Sequence, residues 1–340
     1  MRPTIKPLRT AILGCGHFAK RHAVILASQE DVNLVGFCDQ ALEQAALYNQ
    51  QYAEGKAKVY NDFHEMFEEL PLDLVYICLP PYAHSDEVKS ACQHNVHFLI
   101  EKPIALTMEQ AVAMAGWVSA SKVKSQVGFM YRFGDAVAQL KQLSRDKGIA
   151  GSGFLTARYA CNSLHRWWWK DRSKSGGQLV EQIIHLFDMA RYLLGEPASV
   201  YSLQDNLFHR NIDGYTVEDV SATVIRFNNG SVAVISATNG AIPNRWDSDW
   251  QIYLPGLTVN FSDANHALFN HTDSNAPATQ FTSEKNCYLA ETLDLLAAIR
   301  EDRTPAVPIE EGVLSLNLVL AAAQAAEKGQ PLAVTSPLAS

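Results

Sequence analysis

The feature that most constrains the fold is a glycine turn between a strand pattern and a helix pattern near the start of the chain. The strand-like residues 10–13 lead into the sequence GCGHFA at positions 14–19, and residues 20–28 have the spacing of a helix. This is the G-x-G-x-x-A form of the fingerprint that holds a dinucleotide at a strand-to-helix turn. Gly14 permits the tight turn, Gly16 lets the backbone approach a pyrophosphate, and Ala19 keeps the helix close to the strand.

An acidic residue ends the next strand pattern. Residues 32–38 are apolar, and Asp39 follows them directly. A carboxylate at this place accepts hydrogen bonds from the ribose hydroxyls of a dinucleotide. The same carboxylate repels a 2′-phosphate, and Gln40 and Ala41 come next instead of an arginine. The sequence therefore favours NAD over NADP as the cofactor.

Strand and helix patterns alternate through the first third of the chain. Strand patterns cover residues 58–60, 73–79, 97–100 and 126–130, with helix patterns at 41–53, 62–69, 83–94 and 107–121. Such alternation predicts an α/β fold in which a doubly wound parallel sheet, of Rossmann type, is covered on both faces. We place this dinucleotide-binding domain at residues 1–127.

The rhythm changes beyond residue 133, which predicts a second domain of α+β type. A helix pattern at 135–145 is followed by strand patterns at 154–161, 219–227, 232–238, 250–254 and 257–261. The tripeptide Asn228-Asn229-Gly230 is a hairpin signal, and successive strands with short turns imply a largely antiparallel sheet. Residues 128–340 form this domain, although the closing helices at 286–300 and 309–327 can pack back onto the first one.

Length, charge and cysteine usage restrict the class of protein further. A chain of 340 residues is long for one core and favours two domains. The net charge of −8, without a basic block, argues against nucleic acid as a partner. No apolar run approaches the roughly 20 residues of a membrane span. We expect no signal peptide, because the first residues pass directly into the first strand pattern. Six scattered cysteines suit reduced thiols, so we expect a cytoplasmic protein without a metal site.

A two-faced helix pattern over residues 176–188 carries the first candidate for acid–base chemistry. At about 100° per residue, Gln178, Glu181, His185 and Asp188 share one face, opposite a broad apolar side. Glu181 and His185 are four residues apart and are therefore neighbours. A histidine beside a carboxylate suits a general base, whereas the alternative is an amphipathic helix with a solvated polar face.

The tripeptide Glu101-Lys102-Pro103 is the second candidate. It ends the strand pattern at 97–100, where open α/β sheets place their ligands. An ammonium group there can hold a substrate hydroxyl and stabilise a developing alkoxide. The alternative is an ordinary turn with a surface lysine.

Motifs along essentially the whole chain resemble those of the glucose–fructose oxidoreductase, inositol dehydrogenase and rhizopine-catabolism family. They are GCGHFA (14–19), VGFCD (35–39), YICLPPYAH (76–84), EKPIALT (101–107), GFMYRFG (128–134), SGGQLVEQIIHLFDMARYLLGE (175–196) and ETLDLLAAIREDRTP (291–305). The resemblance implies a Rossmann domain and a substrate domain whose open sheet often forms the oligomer interface. It also implies that Lys102 lies near the nicotinamide and the reacting hydroxyl, with His185 as the acid/base residue.

The chain departs from the family pattern at the glycine-rich helix. Glu181 stands where the family commonly has Asp, Ser175 replaces the first glycine of a three-glycine run, and Ile183 replaces a common Gly. Glu181 keeps the charge of that Asp but reaches one methylene further.

Residues near these motifs complete the predicted site. Three consecutive tryptophans follow His165 and Arg166; one of them, taken as Trp168, can stack on a sugar, and burial against the sheet is the alternative. Arg132 can reach the substrate, with a structural salt bridge as the competing account. The predicted cofactor contacts are Gly14, Gly16, His17, Phe18, Ala19, Asp39, Leu79, Pro80, His84, Glu101 and Lys102. The predicted substrate contacts are Lys102, Arg132, Trp168, Glu181 and His185, of which Lys102, His185 and Glu181 are the catalytic candidates.

These residues predict an NAD(P)-dependent oxidoreductase acting on a secondary alcohol of a sugar, sugar derivative or cyclitol. One alternative is a lyase or glycosidase of the same family that oxidises its substrate only transiently. The other is a non-catalytic dinucleotide-binding regulator. We expect a homodimer or homotetramer, and the sequence leaves the particular substrate and the direction of reaction open.

Overall fold

The computed structural model describes residues 6–149, 152–162, 166–272 and 275–338, so His165 of the tryptophan segment lies outside the described residues. Chain contacts divide the protein into two compact units, Met1–Gly128 with Tyr288–Val313 and Phe129–Cys287 with Leu314–Ser340. The assignment of a dinucleotide-binding role to residues 1–127 and a substrate-binding and oligomerisation role to 128–340 stays a prediction.

The first unit contains a parallel six-stranded sheet with helices between successive strands. Its strands are β1 (Leu8–Leu13), β2 (Val32–Cys38), β3 (Lys58–Tyr60), β4 (Leu74–Ile77), β5 (His97–Ile100) and β6 (Ser125–Val127). Its intervening helices are α1 (Ala19–Ala27), α2 (Leu42–Tyr52), α3 (Phe63–Glu69), α4 (Glu87–Gln93) and α5 (Met108–Ser119). The strand order β3-β2-β1-β4-β5-β6 reverses between β1 and β4, which is the switch point where such sheets bind ligands. The predicted Rossmann-type sheet is confirmed.

The core of this unit explains why its strands are almost continuously apolar. Ile12, Phe37, Tyr76 and Leu99 come from four neighbouring strands and pack into one buried cluster. Parallel strands covered on both faces have no solvent side, so polar alternation is absent from them. Leu295, on a closing helix, packs into the same cluster.

The second unit contains a nine-stranded sheet in the order β14-β13-β12-β11-β7-β10-β9-β8-β15. The strands are β7 (Phe154–Asn162), β8 (Pro197–Asp205), β9 (Val220–Phe227), β10 (Val232–Pro243), β11 (Trp246–Leu254), β12 (Leu257–Phe261), β13 (Ala267–His271), β14 (Thr279–Phe281) and β15 (Leu332–Ala333). The pairs are antiparallel except for β7 with β10. The predicted open, largely antiparallel sheet is confirmed, although the sequence analysis missed β8, β13, β14 and β15.

The remaining helices are α6 (Asp135–Asp146), α7 (Arg172–Ser175), α8 (Ile184–Leu194), α9 (Cys287–Glu301) and α10 (Ile309–Lys328). Helix α10 is long and apolar enough to cross a membrane by length and composition alone, so the expected absence of a membrane partner stays a prediction. It is the one such helix within the described ranges, and 56% of its apolar window is buried. A buried core helix passes the same test, so this finding is weak evidence for a membrane span.

Candidate active site

The glycine turn after β1 has the shape that a dinucleotide requires. Gly14 has φ +87°, and a Cβ atom there would lie 2.5 Å from the carbonyl oxygen of Cys78. Only glycine fits that position, because a side chain would be both strained and in collision. A Cβ at Gly16 would meet no atom of the described residues within 4 Å, so the backbone is open to a ligand on that side. Ala19 is buried, whereas His17 and Phe18 are exposed.

Asp39 ties the end of β2 to this turn. Its Oδ2 atom accepts a hydrogen bond from the Cys15 amide at 2.8 Å, and Oδ1 accepts one from the Ala41 amide at 2.9 Å. The Tyr48 hydroxyl donates to the Gly16 carbonyl at 2.6 Å and holds the turn from the other side. Each carboxylate oxygen can accept a further bond, so Asp39 retains capacity for ribose hydroxyls. The residues present therefore fit a bound dinucleotide.

The segment after β4 brings a buried, hydrogen-bonded His–Glu pair to the same edge of the sheet. His84 Nδ1 lies 2.7 Å from Glu87 Oε1, and the Ser85 amide donates to Glu87 Oε2 at 2.7 Å. Burial pushes the pKa of Glu87 upward, but His84 and the amide more than offset it, and the pKa falls below its usual value. His84 Nε2 is buried and has no hydrogen-bond partner among the described residues. Leu79 and Pro80 precede this pair, and Glu87 escaped the sequence analysis.

The Glu101 carboxylate is buried and hydrogen-bonded within the protein. Its Oε1 lies 2.7 Å from Nε2 of the fully buried His22, and its Oε2 accepts the Lys102 amide at 3.2 Å. A Cβ at Gly128 would lie 2.7 Å from Glu101 Oε2, so glycine leaves room for the carboxylate. The contact anchors the backbone of Lys102 at the end of β5. The predicted cofactor contact through Glu101 stays a prediction, and His22 was missed.

A second buried carboxyl group belongs to the same unit. Neither side-chain oxygen of Glu291 has a hydrogen-bond partner within the residues the structure describes, and the side chain is fully buried. Burial, and secondarily the charges of Glu101 and Asp294, raise the pKa of Glu291 well above its usual value. Gln126 Nε2 donates to the Glu291 backbone carbonyl, so the helix is fixed at this residue. Burial therefore favours the neutral, protonated form of this carboxyl group.

In the second unit, the predicted two-faced helix begins with a π-helical turn over Gln178–Gln182 and continues as α8. The Ile183 amide donates to the Gln178 carbonyl at 3.1 Å, a bond that spans five residues. Such turns are rare and are frequent at functional sites. Gln178 and Asp188 are buried and hydrogen-bonded, so the predicted polar face is not a solvated one.

The tryptophan segment contacts the helix through a residue that the sequence analysis did not choose. Trp169 Nε1 donates to Glu181 Oε2 at 2.8 Å, and the indole is buried with Tyr215 and Val217. Trp168 packs at the edge of that cluster, whereas Trp167 is 65% exposed. Trp169 therefore holds a predicted site residue, Glu181, through a hydrogen bond. Stacking of Trp168 on substrate stays a prediction.

His185 lies against an aromatic wall. Its ring centroid is 5.2 Å from that of Tyr131 and 5.9 Å from that of Phe129. Tyr131 in turn packs on Trp250 at 5.6 Å, and burial raises the pKa of the Tyr131 hydroxyl. These rings fix the position of the imidazole within this unit.

Arg132 forms the ion pair that the competing account predicted. Its Nε and Nη2 atoms donate to both oxygens of Asp188 at 2.8 and 2.7 Å, and the side chains are 6% and 1% exposed. The Ser315 hydroxyl donates to the same carboxylate at 2.9 Å. A substrate contact through Arg132 stays a prediction beside this structural pair.

Three family models of known proteins match consecutive parts of the chain. The family model described as "Oxidoreductase family, NAD-binding Rossmann fold" matches residues 8–129. The "GFO/IDH/MocA C-terminal domain" model matches 137–255, and the "Oxidoreductase family, C-terminal alpha/beta domain" model matches 258–334. The chain belongs to the GFO/IDH/MocA oxidoreductase family. This confirms the resemblance in its motifs and the prediction of NAD as cofactor.

Two curated relatives and a solved structure match this chain over nearly its whole length. D-glucoside 3-dehydrogenase of Escherichia coli is 28% identical, covering 96% of this chain and 97% of the relative. Myo-inositol 2-dehydrogenase of Thermotoga maritima is 26% identical, covering 94% and 97%. The solved structure of levoglucosan dehydrogenase in complex with NADH and L-sorbose has a TM-score of 0.88 at 21% identity, covering 97% of this chain and all of that one. The family member is thus an NAD-binding oxidoreductase with the fold of a sugar dehydrogenase.

Proposed function

We propose that this family member transfers a hydride between NAD and a secondary alcohol of a sugar, sugar derivative or cyclitol. The observation that carries the proposal is the end-to-end match to a glucoside dehydrogenase and an inositol dehydrogenase. The glycine turn and Asp39 fit the cofactor, and both candidate groups for the alcohol, Lys102 and His185, are present. A regulator that only binds the dinucleotide would need neither group.

The proposed mechanism divides the chemistry between two side chains. Bound NAD supplies the hydride acceptor at its nicotinamide ring. Lys102 orients the hydroxyl oxygen and offsets the negative charge that develops on it. His185 takes the hydroxyl proton as general base, held in place by Tyr131 and Phe129. The proposal requires Lys102 and His185 to reach the same bound alcohol.

A substrate panel with matched variants tests the proposal. Purified protein is mixed with NAD and each of a series of sugars, glycosides and inositols, and NADH formation is followed by absorbance. Lys102→Met and His185→Ala should each lower turnover about 100-fold or more while NAD still binds, because both groups act mainly in the transition state. Lys56→Met and His266→Ala, which alter residues at the protein surface, are the controls.

Three outcomes separate the candidates. Folded variants with unchanged turnover would refute the assigned roles. A product that forms without net NADH, while NAD stays bound, would favour the transient-oxidation lyase or glycosidase. NAD binding without any turnover across the panel would favour the regulator.

We also propose that the protein is a cytoplasmic homodimer or homotetramer that pairs through its open sheet. Phe154 and Tyr253 stack on each other at 5.8 Å on neighbouring strands and are both exposed, as is Val224 on β9. Apolar side chains on an outward sheet face are typical of an interface. Light scattering of wild-type protein and of Tyr253→Glu measures the mass; a monomeric wild type would end this proposal.

A further inference from the structure

Glu218 is a buried acid that the proposed mechanism leaves without a role. It lies between Tyr215 and the start of β9, and its side chain is only 4% exposed. Its Oε1 atom accepts a hydrogen bond from the Leu179 amide at 3.1 Å. Gly177 has φ +98°, and a Cβ there would lie 2.6 Å from Glu218 Oε2. The carboxyl group therefore sits directly on the backbone where the π-helical turn begins.

Burial destabilises the charged form of the Glu218 carboxyl group. It raises the pKa of Glu218, although Arg172 at 3.8 Å and backbone amides act in the opposite direction. Oε2 has no hydrogen-bond partner among the residues that the structure describes. A polar group retained at such a cost is expected to do something that an apolar residue could not. Here it supplies an acceptor to the first turn of the helix that carries Glu181 and His185.

The neighbouring acid, Asp219, is linked to the same helix through a chain of aromatic rings. Asp219 accepts a hydrogen bond from the His209 amide at 2.9 Å and contacts the His209 ring at 2.9 Å. His209 stacks on Tyr215 at 4.8 Å, and Tyr215 meets Trp169 at 6.1 Å. Trp169 donates to Glu181. Two consecutive acids thus fix both the backbone of the π turn and the indole that holds its carboxylate.

We propose that Glu218 is a positioning residue: by holding the backbone at Gly177 and Leu179, it fixes the π turn that orients Glu181 and His185. The catalytic meaning of this orientation rests on the proposed function, because that function makes His185 the base. A π turn is rare, and the hydrogen bond from the Leu179 amide to Glu218 is a tertiary contact at its start. Gly177→Ala should have the same effect as a change at Glu218, since its methyl group would displace the carboxylate.

The first test needs no substrate. The His185 ring signal is recorded in ¹³C-histidine-labelled protein at fixed pH and assigned with His185→Ala. Because the imidazole lies 5.2 Å from Tyr131 and 5.9 Å from Phe129, its chemical shift depends on its position over these rings. Glu218→Gln and Gly177→Ala should move the signal, whereas Glu284→Gln at an exposed site should not. An unmoved His185 signal in both folded variants would overturn the proposal.

The second test uses the substrate that the panel identifies. Glu218→Ala should lower kcat roughly 10- to 100-fold by misplacing the base, with NAD affinity unchanged. In a His185→Ala background the same change should cost less than about threefold, because its effect passes through His185. Full additivity would indicate a general structural role and contradict the proposal. If His185→Ala is itself harmless, the proposed function fails, while a shifted His185 signal still supports positioning.

Discussion

Replacing Asp188 by Asn should destabilise the protein strongly. Asp188 accepts two hydrogen bonds from Arg132 and one from Ser315, and the two charged side chains are almost fully buried. Removing one partner from a buried ion pair costs about 3–5 kcal/mol, because the remaining charge has lost both water and its counter-ion. Asn keeps the volume and one acceptor oxygen, so we expect the lower end, about 3 kcal/mol.

Urea unfolding measures the change, with the free energy extrapolated to zero denaturant. The matched control is Asp249→Asn, which breaks an Arg–Asp pair on the sheet surface with Arg158, 64% exposed at its side chain. Exposed pairs contribute less than about 1 kcal/mol, since water and salt screen them. The buried and exposed pairs should therefore differ by at least about 2 kcal/mol. Equal losses would refute the burial argument.

The same variant decides between the two accounts of Arg132. A purely structural pair predicts that folded Asp188→Asn keeps its KM for the alcohol at temperatures well below unfolding. A substrate contact through Arg132 predicts a raised KM, because the guanidinium would move once its carboxylate partner is neutral. The measurement requires only initial rates over a range of substrate concentrations.

Three further predictions concern charge. Asp39→Ser with Gln40→Arg should erase or reverse the preference for NAD over NADP in fluorescence titrations, because the change removes a repulsive carboxylate; an unchanged ratio would contradict the ribose assignment. Combining Lys102→Met with His185→Ala should cost less than the product of the single losses, since the proposed mechanism has both groups act on one oxygen; multiplicative losses would contradict that mechanism. Because the pKa of Glu291 is raised, the folded state keeps a proton that the unfolded state releases. The free energy of unfolding should therefore fall by about 1.4 kcal/mol per pH unit as pH rises from the usual Glu pKa to the raised one. Glu291→Gln should flatten this slope in urea midpoints measured from pH 4 to 8, and identical slopes would exclude the effect.

The fold was predictable because its signals are local. A buried parallel strand is an apolar run, and the turn after β1 requires a glycine whose φ is positive. The hairpin at Gly230 is announced by its turn residues and joins β9 to β10 as expected. Strand β8 was missed because its sequence, PASVYSLQD, mixes polar and apolar residues without strict alternation.

Pairings between distant parts of the chain were not predictable in the same way. His22 and Glu101 are 79 positions apart, and neither local sequence predicts the 2.7 Å contact between His22 Nε2 and Glu101 Oε1. Glu87 lies only three residues from His84, yet a charged residue at the start of a helix is normally solvated. The burial of Trp169 could not be predicted, because a run of three adjacent tryptophans does not indicate which of the three side chains is buried.

In the segment of residues 176–194, helical periodicity does not predict which side chains share a surface. A projection at 100° per residue assumes bonds that span four residues throughout, whereas the Ile183 amide reaches back five residues to Gln178. Every residue beyond that turn is rotated relative to its place on a continuous α-helix, so the polar stripe predicted from spacing is not one surface. Gln178 is bonded to Ser221, Glu181 to Trp169 and Asp188 to Arg132, each in its own surroundings. The site is therefore specified by these separate partners, and the spacing of its residues could predict their chemistry but not their placement.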